Sequence, residues 1–572
     1  MYNPKTALSF ALPLVAFGCA GAAPSDEPSL AQAASAAQRV GERSQAVSTG
    51  FTAVASANPK VPGFAPPTVL SPELVQVAVA QGATLLENPA TVTRSDGSTA
   101  LLDHYGYDGD GPLLPLPGDV QSSTHDVEAH KTEPDKNVYL VVDGQTGADP
   151  SYDYGRHFLY QGHEGGLSGY ITRLNLDADA AHRVTVMAST DEDGNLIPTI
   201  DGATWDPFAQ RLLFTTESGS NESVLQATLS FPSTVQDVSG SLGRGAYEGI
   251  QNDSDGNVWM VEDAGGKTGA TNTHAKQPNS FVYRFVPENS ADLTRGKLQA
   301  LQVMSLRTGR AIAFHAGQAD ADILSPDVGD LHAYGTTFDA RWVTLHDTAV
   351  DGNTPFNANA LAKAALATPI KRPENGLFRP DGKFREFFFD ETGDTNALTE
   401  AGAAFGGFGA VFRLVQSSPS SMVGKLSLLY LGDAAHSGFD NVAFFSRDQV
   451  VFVEDAGDTL HTQRNALDSG YLLDVDADYA NPANQPVRVM AEGRDPSATI
   501  DSSYQGTPGF PNEGDNEITG IHVSNGDPSA GGILGAAAPK PFRDGWRAFY
   551  TAQHGDNVTW ELLPNPHRSG DD

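Results

Sequence analysis

The sequence predicts an all-β fold, a β-propeller with six blades as the expected count, a short N-terminal helix and helical insertions. Three observations lead there. The first is a motif present twice at one spacing. Glu248-Gly249-Ile250 runs through a polar turn to Val261-Glu262-Asp263-Ala264-Gly265, and Asp440-Asn441-Val442 runs through another to Val453-Glu454-Asp455-Ala456-Gly457. Fourteen residues separate Glu248 from Glu262 and Asp440 from Glu454. An antiparallel hairpin sets the start of its first strand beside the end of its second, so each copy delivers carboxylates to one end of a hairpin. The second observation is a succession of short β-branched and aromatic segments between Gly, Asp, Asn and Pro, among them residues 137–142, 211–216, 281–286 and 425–431. The third is that looser acid–hairpin units begin at Asp201, Glu374 and Glu517, giving roughly one unit per 60 to 70 residues. Four-stranded sheets repeated radially leave few exposed edges and end at a central channel. A sandwich or an open series of sheets is the alternative arrangement.

The elements before the repeats are read in order. Residues 1–19 resemble a lipoprotein signal: Lys5 precedes an apolar stretch too short to span a bilayer, and Cys19 lies between Gly18 and Ala20 as at a lipidation site, although Phe17 fits that pattern poorly. Cys19 is the only cysteine, so the body has neither a disulfide nor a thiolate metal site. Residues 20–65, rich in Ala, Ser, Gln and Pro, are expected to be a flexible tether, and 66–572 a single propeller domain. Ser71-Pro72-Glu73 offers an N-cap, a proline at the first helical position and an acidic first turn, so a helix is expected from there to near Leu86. The alanine-rich residues 359–368 are expected to form a helical insertion. The expected product is an exported monomer, lipid-anchored to the bacterial cell envelope.

Charge narrows the chemistry. With 71 acidic against 36 basic residues the net charge is −35, which makes nucleic acid an unexpected partner. A solvated acidic surface would account for the charge without metal. Carboxylates recurring at equivalent hairpin ends are harder to leave bare: two of them ~4 Å apart repel by about 4 kcal/mol at a surface-like dielectric. Hard oxygen donors suit Ca2+, Mg2+, Mn2+ or Fe3+, and the lack of thiolates argues against structural zinc. Asp191–Asn195 and Asp253–Asn257 share Asp-x-Asp-Gly-Asn, but each leads into a strand, so tight turns are expected rather than helical calcium loops. Arg372-Pro373-Glu374 sets a guanidinium beside a carboxylate; arginine is suited to bidentate contact with an oxyanion such as phosphate. His554 follows Gln553 at the end of a strand equivalent to the Glu-Asp strands. No serine-nucleophile elbow with a plausible triad and no glycine-rich loop opening a helix is present.

Together these segments resemble the PhoX family of bacterial alkaline phosphatases between about Asp201 and Trp560. The resemblance is carried by Arg211–Glu217, Tyr247-Glu248-Gly249, Val261–Gly265, Phe281–Pro287, Arg372-Pro373-Glu374, Asp440-Asn441, Val453-Glu454-Asp455, Asn516–Gly520 and Gln553-His554. It implies a propeller whose channel holds a mixed calcium and iron cluster that hydrolyses small phosphate esters. Glu217, Glu248, Glu374, Asp440, Asn441 and Glu517 would be metal ligands or their close supports, and Arg372 would grip the phosphate. Thr216, Glu262, Asp263, Glu454, Asp455 and His554 would stand around them. One departure matters: the family has Cys-Glu-Glu where this chain has Thr216-Glu217-Ser218, and threonine is a poor replacement for an iron-binding thiolate. Ca2+ is thus better supported than Fe3+. Two other functions stay open, a non-catalytic calcium-binding surface propeller and a metal-dependent lactonase or esterase.

Overall fold

A computed structural model describes residues 50–60, 66–93, 99–108, 130–165, 169–216, 224–493, 517–553 and 557–568. The chain is nearly all β, and its strands form six four-stranded antiparallel units. Their first strands are Val138–Val141, Ala203–Asp206, Tyr247–Asn252, Gly376–Phe378, Phe439–Phe444 and Glu517–Ser524. Each neighbours the next, and the last neighbours the first, so they close a ring around one axis.

The packing shows the same closure. Six large apolar clusters fill the interfaces between successive units, one for each interface. Val138 and Phe158 of the first unit meet Leu212 and Phe214 of the second, and Leu213 meets Met260. Trp259 meets Phe378 and Phe387, Phe388 meets Phe452, and Val451 meets Ile518 and Tyr550. Phe549 then meets Tyr139 and Leu159. Successive side chains of a strand point to opposite faces, so Leu212 and Leu213, or Trp259 and Met260, serve two different interfaces. Strands buried on both faces read as unbroken apolar runs, which is how they appear in the sequence.

The ring is fastened by the N-terminal segment. Residues 71–86 do not form the expected helix: Leu74–Ala80 is a strand that pairs with Val558–Pro564 as the outermost strand of the last unit. Leu74-Val75-Gln76-Val77-Ala78-Val79-Ala80 alternates β-branched residues, and a waiting edge strand outweighs the helix-start signals. Ser71 caps nothing helical; its hydroxyl donates to Thr52 O and to the Glu73 carboxylate. Part of the expected tether is also fastened. Asn58 donates to Pro67 O and Glu492 O, and Val54 is buried against the fifth unit. The alanine-rich insertion is helical over Ala358–Ala364, capped by Asn357. The third and fourth units are joined edge to edge by Phe338–Asp347, which pairs with an outer strand of each. Among the described residues no helix is long and apolar enough to cross a membrane.

Candidate metal centre at the propeller axis

Five of the six first strands carry a buried carboxylate at or just before their start: Asp135, Asp201, Glu248, Glu374 and Asp440. The sixth presents Thr519 and Gly520. The duplicated motif owes its shape to a backbone irregularity. Tyr247 pairs with Glu262 and Ile250 with Met260, so Glu248 and Gly249 together oppose Val261. Phe439 pairs with Glu454 and Val442 with Phe452, which gives Asp440 and Asn441 the same position. In the last unit Thr519 pairs with Thr551 and His522 with Phe549. A β-bulge re-aims side chains where a regular strand would alternate them, and at Asp440-Asn441 it brings two adjacent polar groups to the axis. That register also corrects one expectation: Gly520, not Glu517, occupies the place of Glu248 and Asp440, and Glu517 pairs with Gln553 three residues earlier.

Glu248, Asp263 and Glu374 are all buried, and each offers an oxygen within 4.8 Å of the others; Asp135, Glu164 and Asp201 form a second such group. Burial holds Glu248 well above the usual carboxylate range, with Asp201, Glu374 and Asp440 adding to it. Burial, then Asp263, pushes Glu374 up to about 8, against the pull of Arg372. Asp440 is pushed up to about 7 by burial and Asp135, and burial holds Asp390 well above its ordinary range. Glu248 Oε2, Asp263 Oδ1 and Asp390 Oδ2 are buried without a hydrogen-bond partner. Buried acceptors without donors and mutually repelling carboxylates are what a hard cation would satisfy. The described residues include no cysteine, so the donor set is oxygen, as calcium, magnesium, manganese or ferric iron prefer.

Arg372 closes the outer side of the triad. Its Nε and Nη2 donate to Asp263 Oδ2, both at 2.7 Å, and Nη2 lies 3.3 Å from Glu374 Oε1. Among the described residues Nη1 has no hydrogen-bond partner, and the side chain retains 17% exposure. Arg372 has φ 55°, in the left-handed region, and directly precedes Pro373. That conformation costs on the order of 1–2 kcal/mol and is held by its surroundings, with Thr392 N donating to Arg372 O at 2.9 Å. Thr392 also donates from Oγ1 to Glu374 Oε1.

A lysine that the sequence reading passed over sits beneath the acids. Lys136 is buried, and its Nζ donates to Asn375 Oδ1 at 3.3 Å and to Asn441 Oδ1. Asn441 Nδ2 reaches both oxygens of Asp440, at 2.9 and 2.8 Å, and Thr519 Oγ1 at 2.9 Å. Thr519 Oγ1 donates to Asp135 Oδ1. Asp135, Lys136, Asn375 and Asp390 are not among the site residues expected from sequence, although Asp135-Lys136 immediately precedes the strand expected at 137–142. An acid followed by Asn or Lys at a strand start was the available signal.

The remaining expected residues divide. Asp263 lies in the triad, and Asp455 acts electrostatically on Arg372 and Asp440. Glu262 and Glu454, one residue earlier, point to the other face. Glu262 accepts from Tyr283, Asn359 and Phe281 N. Glu454 accepts from Arg464, Ser437 N and Ser469 N. Both brace strands rather than join the cluster. Thr216 is fully buried just beyond strand Arg211–Phe214. Glu217, His554 and Cys19 lie outside the described residues. Asp191–Asn195 and Asp253–Asn257 are turns, as expected: Asp191 Oδ1 accepts from Asp193 N and Asn195 N, and Asp253 Oδ1 accepts from Asp255 N and Asn257 N.

The fold and site define a β-propeller protein with a dense, buried acidic cluster at one end of its axis. No protein-family model and no curated protein sequence matches the chain. Among solved structures it is similar to Pseudomonas fluorescens PhoX in complex with vanadate, a transition state analogue, at TM-score 0.48 and 10% identity over 89% of this chain and 98% of that one. It is similar to a nidogen/laminin complex at TM-score 0.28 and 10% identity, over 68% of this chain and 88% of that one. A Trichoderma reesei carbohydrate-active enzyme of family AA12 gives 0.25 and 10%, over 88% and 98%. The first is a PhoX structure, the family that the sequence motifs resemble. Superpositions this loose transfer no residue roles.

Proposed function

We propose that the chain is a metal-dependent hydrolase of small phosphate esters, with its reaction centre at the axial carboxylates. The supporting observation is the convergence of Glu248, Asp263 and Glu374 within 4.8 Å, two of them with buried unpartnered oxygens, directly beside Arg372. These three carboxylates would hold the cation, with calcium the first candidate. When bound, a hard cation supplies Lewis-acid polarisation of a phosphoryl oxygen. Arg372 would offer its Nη1, and a guanidinium suits the equatorial oxygens of a phosphoryl group as charge builds there. Asp263 fixes the plane of that guanidinium through Nε and Nη2.

The test is turnover of a chromogenic phosphate ester at alkaline pH by the purified protein, with and without chelator, alongside elemental analysis. Chelator-sensitive turnover that collapses in Arg372→Ala is expected; bound calcium without turnover would reject the catalytic half. That second outcome would support a non-catalytic cation-binding propeller. Thr216 at the position of a family thiolate and the engagement of Arg372 with two carboxylates both favour that reading. For the chain as a whole we propose export and lipid anchoring through Cys19 to the bacterial envelope, and action as a monomer. Fatty-acid labelling lost in Cys19→Ser tests the anchor.

A further inference from the structure

The acidic axis contains a cation of its own. Asn375 and Asn441 each follow an axial acid, Glu374 and Asp440, and both turn their amide oxygens to Lys136 Nζ. Carbonyl oxygens converging on one point are a cation-binding arrangement, and here the point is filled by an ammonium. The amide nitrogen of Asn441 faces the other way, to Asp440 and Thr519, and Asn375 N donates to Asp390 Oδ1 at 2.7 Å. Positive charge on Lys136 is thus relayed through the Asn441 amide to Asp440, whereas Asn375 reaches Asp390 through its backbone N alone. On its other side Lys136 borders a mostly apolar pocket lined by Leu377, Phe378, Val442, Ile521 and Ile533, with His522 also in the wall. That wall carries no carboxylate, and its one histidine, His522, has Nε2 engaged by Tyr139 N. Burial lowers the proton affinity of the amine below its ordinary value, and Asp135, Asp440, Asp390 and Asp201 offset part of that. At the outer triad Arg372 and, within electrostatic reach, Lys276 are the cationic side chains, yet Glu248 Oε2 and Asp263 Oδ1 remain without a hydrogen-bond partner among the described residues.

The geometry points to Lys136 as the resident cation between Asn375 and Asn441, which keeps exchangeable metal out of that amide pair and leaves it to carboxylate groups such as Glu248, Asp263 and Glu374. It rests on the metal-binding reading of the triad. Lys136 is accordingly a positioning residue that sets how many ions the axis takes. The amide pair, with Asn441 and Asn375 spoken for, is a metal site replaced by a side chain.

Calcium titration by calorimetry, with elemental analysis after desalting, tests it on the full protein. Lys136→Met should bind one more calcium equivalent than the parent and gain more in Tm on calcium addition, while Lys136→Arg should keep the parent stoichiometry. A Lys136→Met protein that folds only with calcium present supports the same conclusion. Equal stoichiometry and equal calcium shifts in Lys136→Met and parent would overturn it. Should Lys136→Met not be recovered, Asp440→Asn should retain the parent calcium content while Glu374→Gln loses an equivalent; the reverse pattern would overturn the division of the cluster. A parent that binds no calcium, with one equivalent gained by Lys136→Met, would reject the metal reading of the triad and leave the role of Lys136 intact.

Discussion

Arg372 holds Asp263 through two nitrogens on a single oxygen, Nε and Nη2 each 2.7 Å from Oδ2, which leaves Oδ1 of the same carboxylate buried and without a partner. One carboxylate therefore has an arginine side and, among the described residues, a side without a donor. A lysine cannot reproduce the planar two-point contact. Arg372→Lys should lower kcat/KM for a phosphate ester by about 100-fold, roughly 3 kcal/mol, and KM should account for less of the loss than kcat. Unchanged kinetics would remove Arg372 from the reaction.

Glu262 and Asp263 are adjacent yet separable. Burial pushes Glu262 up to about 7, and its carboxylate serves Tyr283, Asn359 and Phe281. Glu262→Gln should leave metal content unchanged and cost no more than about 1 kcal/mol of stability, because an amide can keep most of those bonds. Asp263→Asn should reduce metal content. Elemental analysis of the two variants side by side decides; equal losses would contradict the two-face arrangement.

Metal-free protein should lose stability as pH rises. Folded, Glu374 and Asp440 keep their protons up to about pH 8 and 7, first because of burial. Unfolded, they ionise near the ordinary value of about 4. Between those limits the folded state binds more protons than the unfolded chain, and stability falls with increasing pH. Tm in chelator should drop from pH 5.5 to 8.5, and calcium should flatten the curve by favouring the ionised carboxylates. A chelated Tm that climbs over this range would count against a repelling cluster.

Gly249 is required by close approach. A Cβ there would lie 2.7 Å from Glu374 O and 2.8 Å from Asn375 Cα, both backbone. The Gly249 N to Glu374 O hydrogen bond, 2.7 Å, ties the third inner strand to the fourth at the triad. Gly249→Ala should cost about 1–3 kcal/mol and weaken calcium binding, read by thermal melts and titration. A variant with parent stability and affinity would show that the two strands are not locked together.

The closing strand should be indispensable. Removing residues 66–80 takes away the pairing partner of Val558–Pro564 and exposes its edge. The truncated chain should aggregate or become protease-sensitive from the C-terminal unit inward; limited proteolysis indistinguishable from the parent would argue against closure by this strand.

The sequence by itself determined the all-β class, the repetition and most inner-strand starts, because period-two apolar runs and turn residues are local signals. Asp201, Glu248, Glu374 and Asp440 were all legible in this way, and the unit at Val138–Val141 was visible as a strand though not as part of the repeat. Tertiary structure decided what locality cannot. Leu74–Ala80 became a strand because an edge 479 to 490 residues away lacked a partner. The bulge at Asp440-Asn441 aimed two polar groups at the axis, whereas the neighbours Glu454 and Asp455 were split between brace and cluster by strand alternation. Lys136 acquired its place only when amides from two other units closed over it. Ring closure brings these groups together, and a linear sequence carries no distance between them.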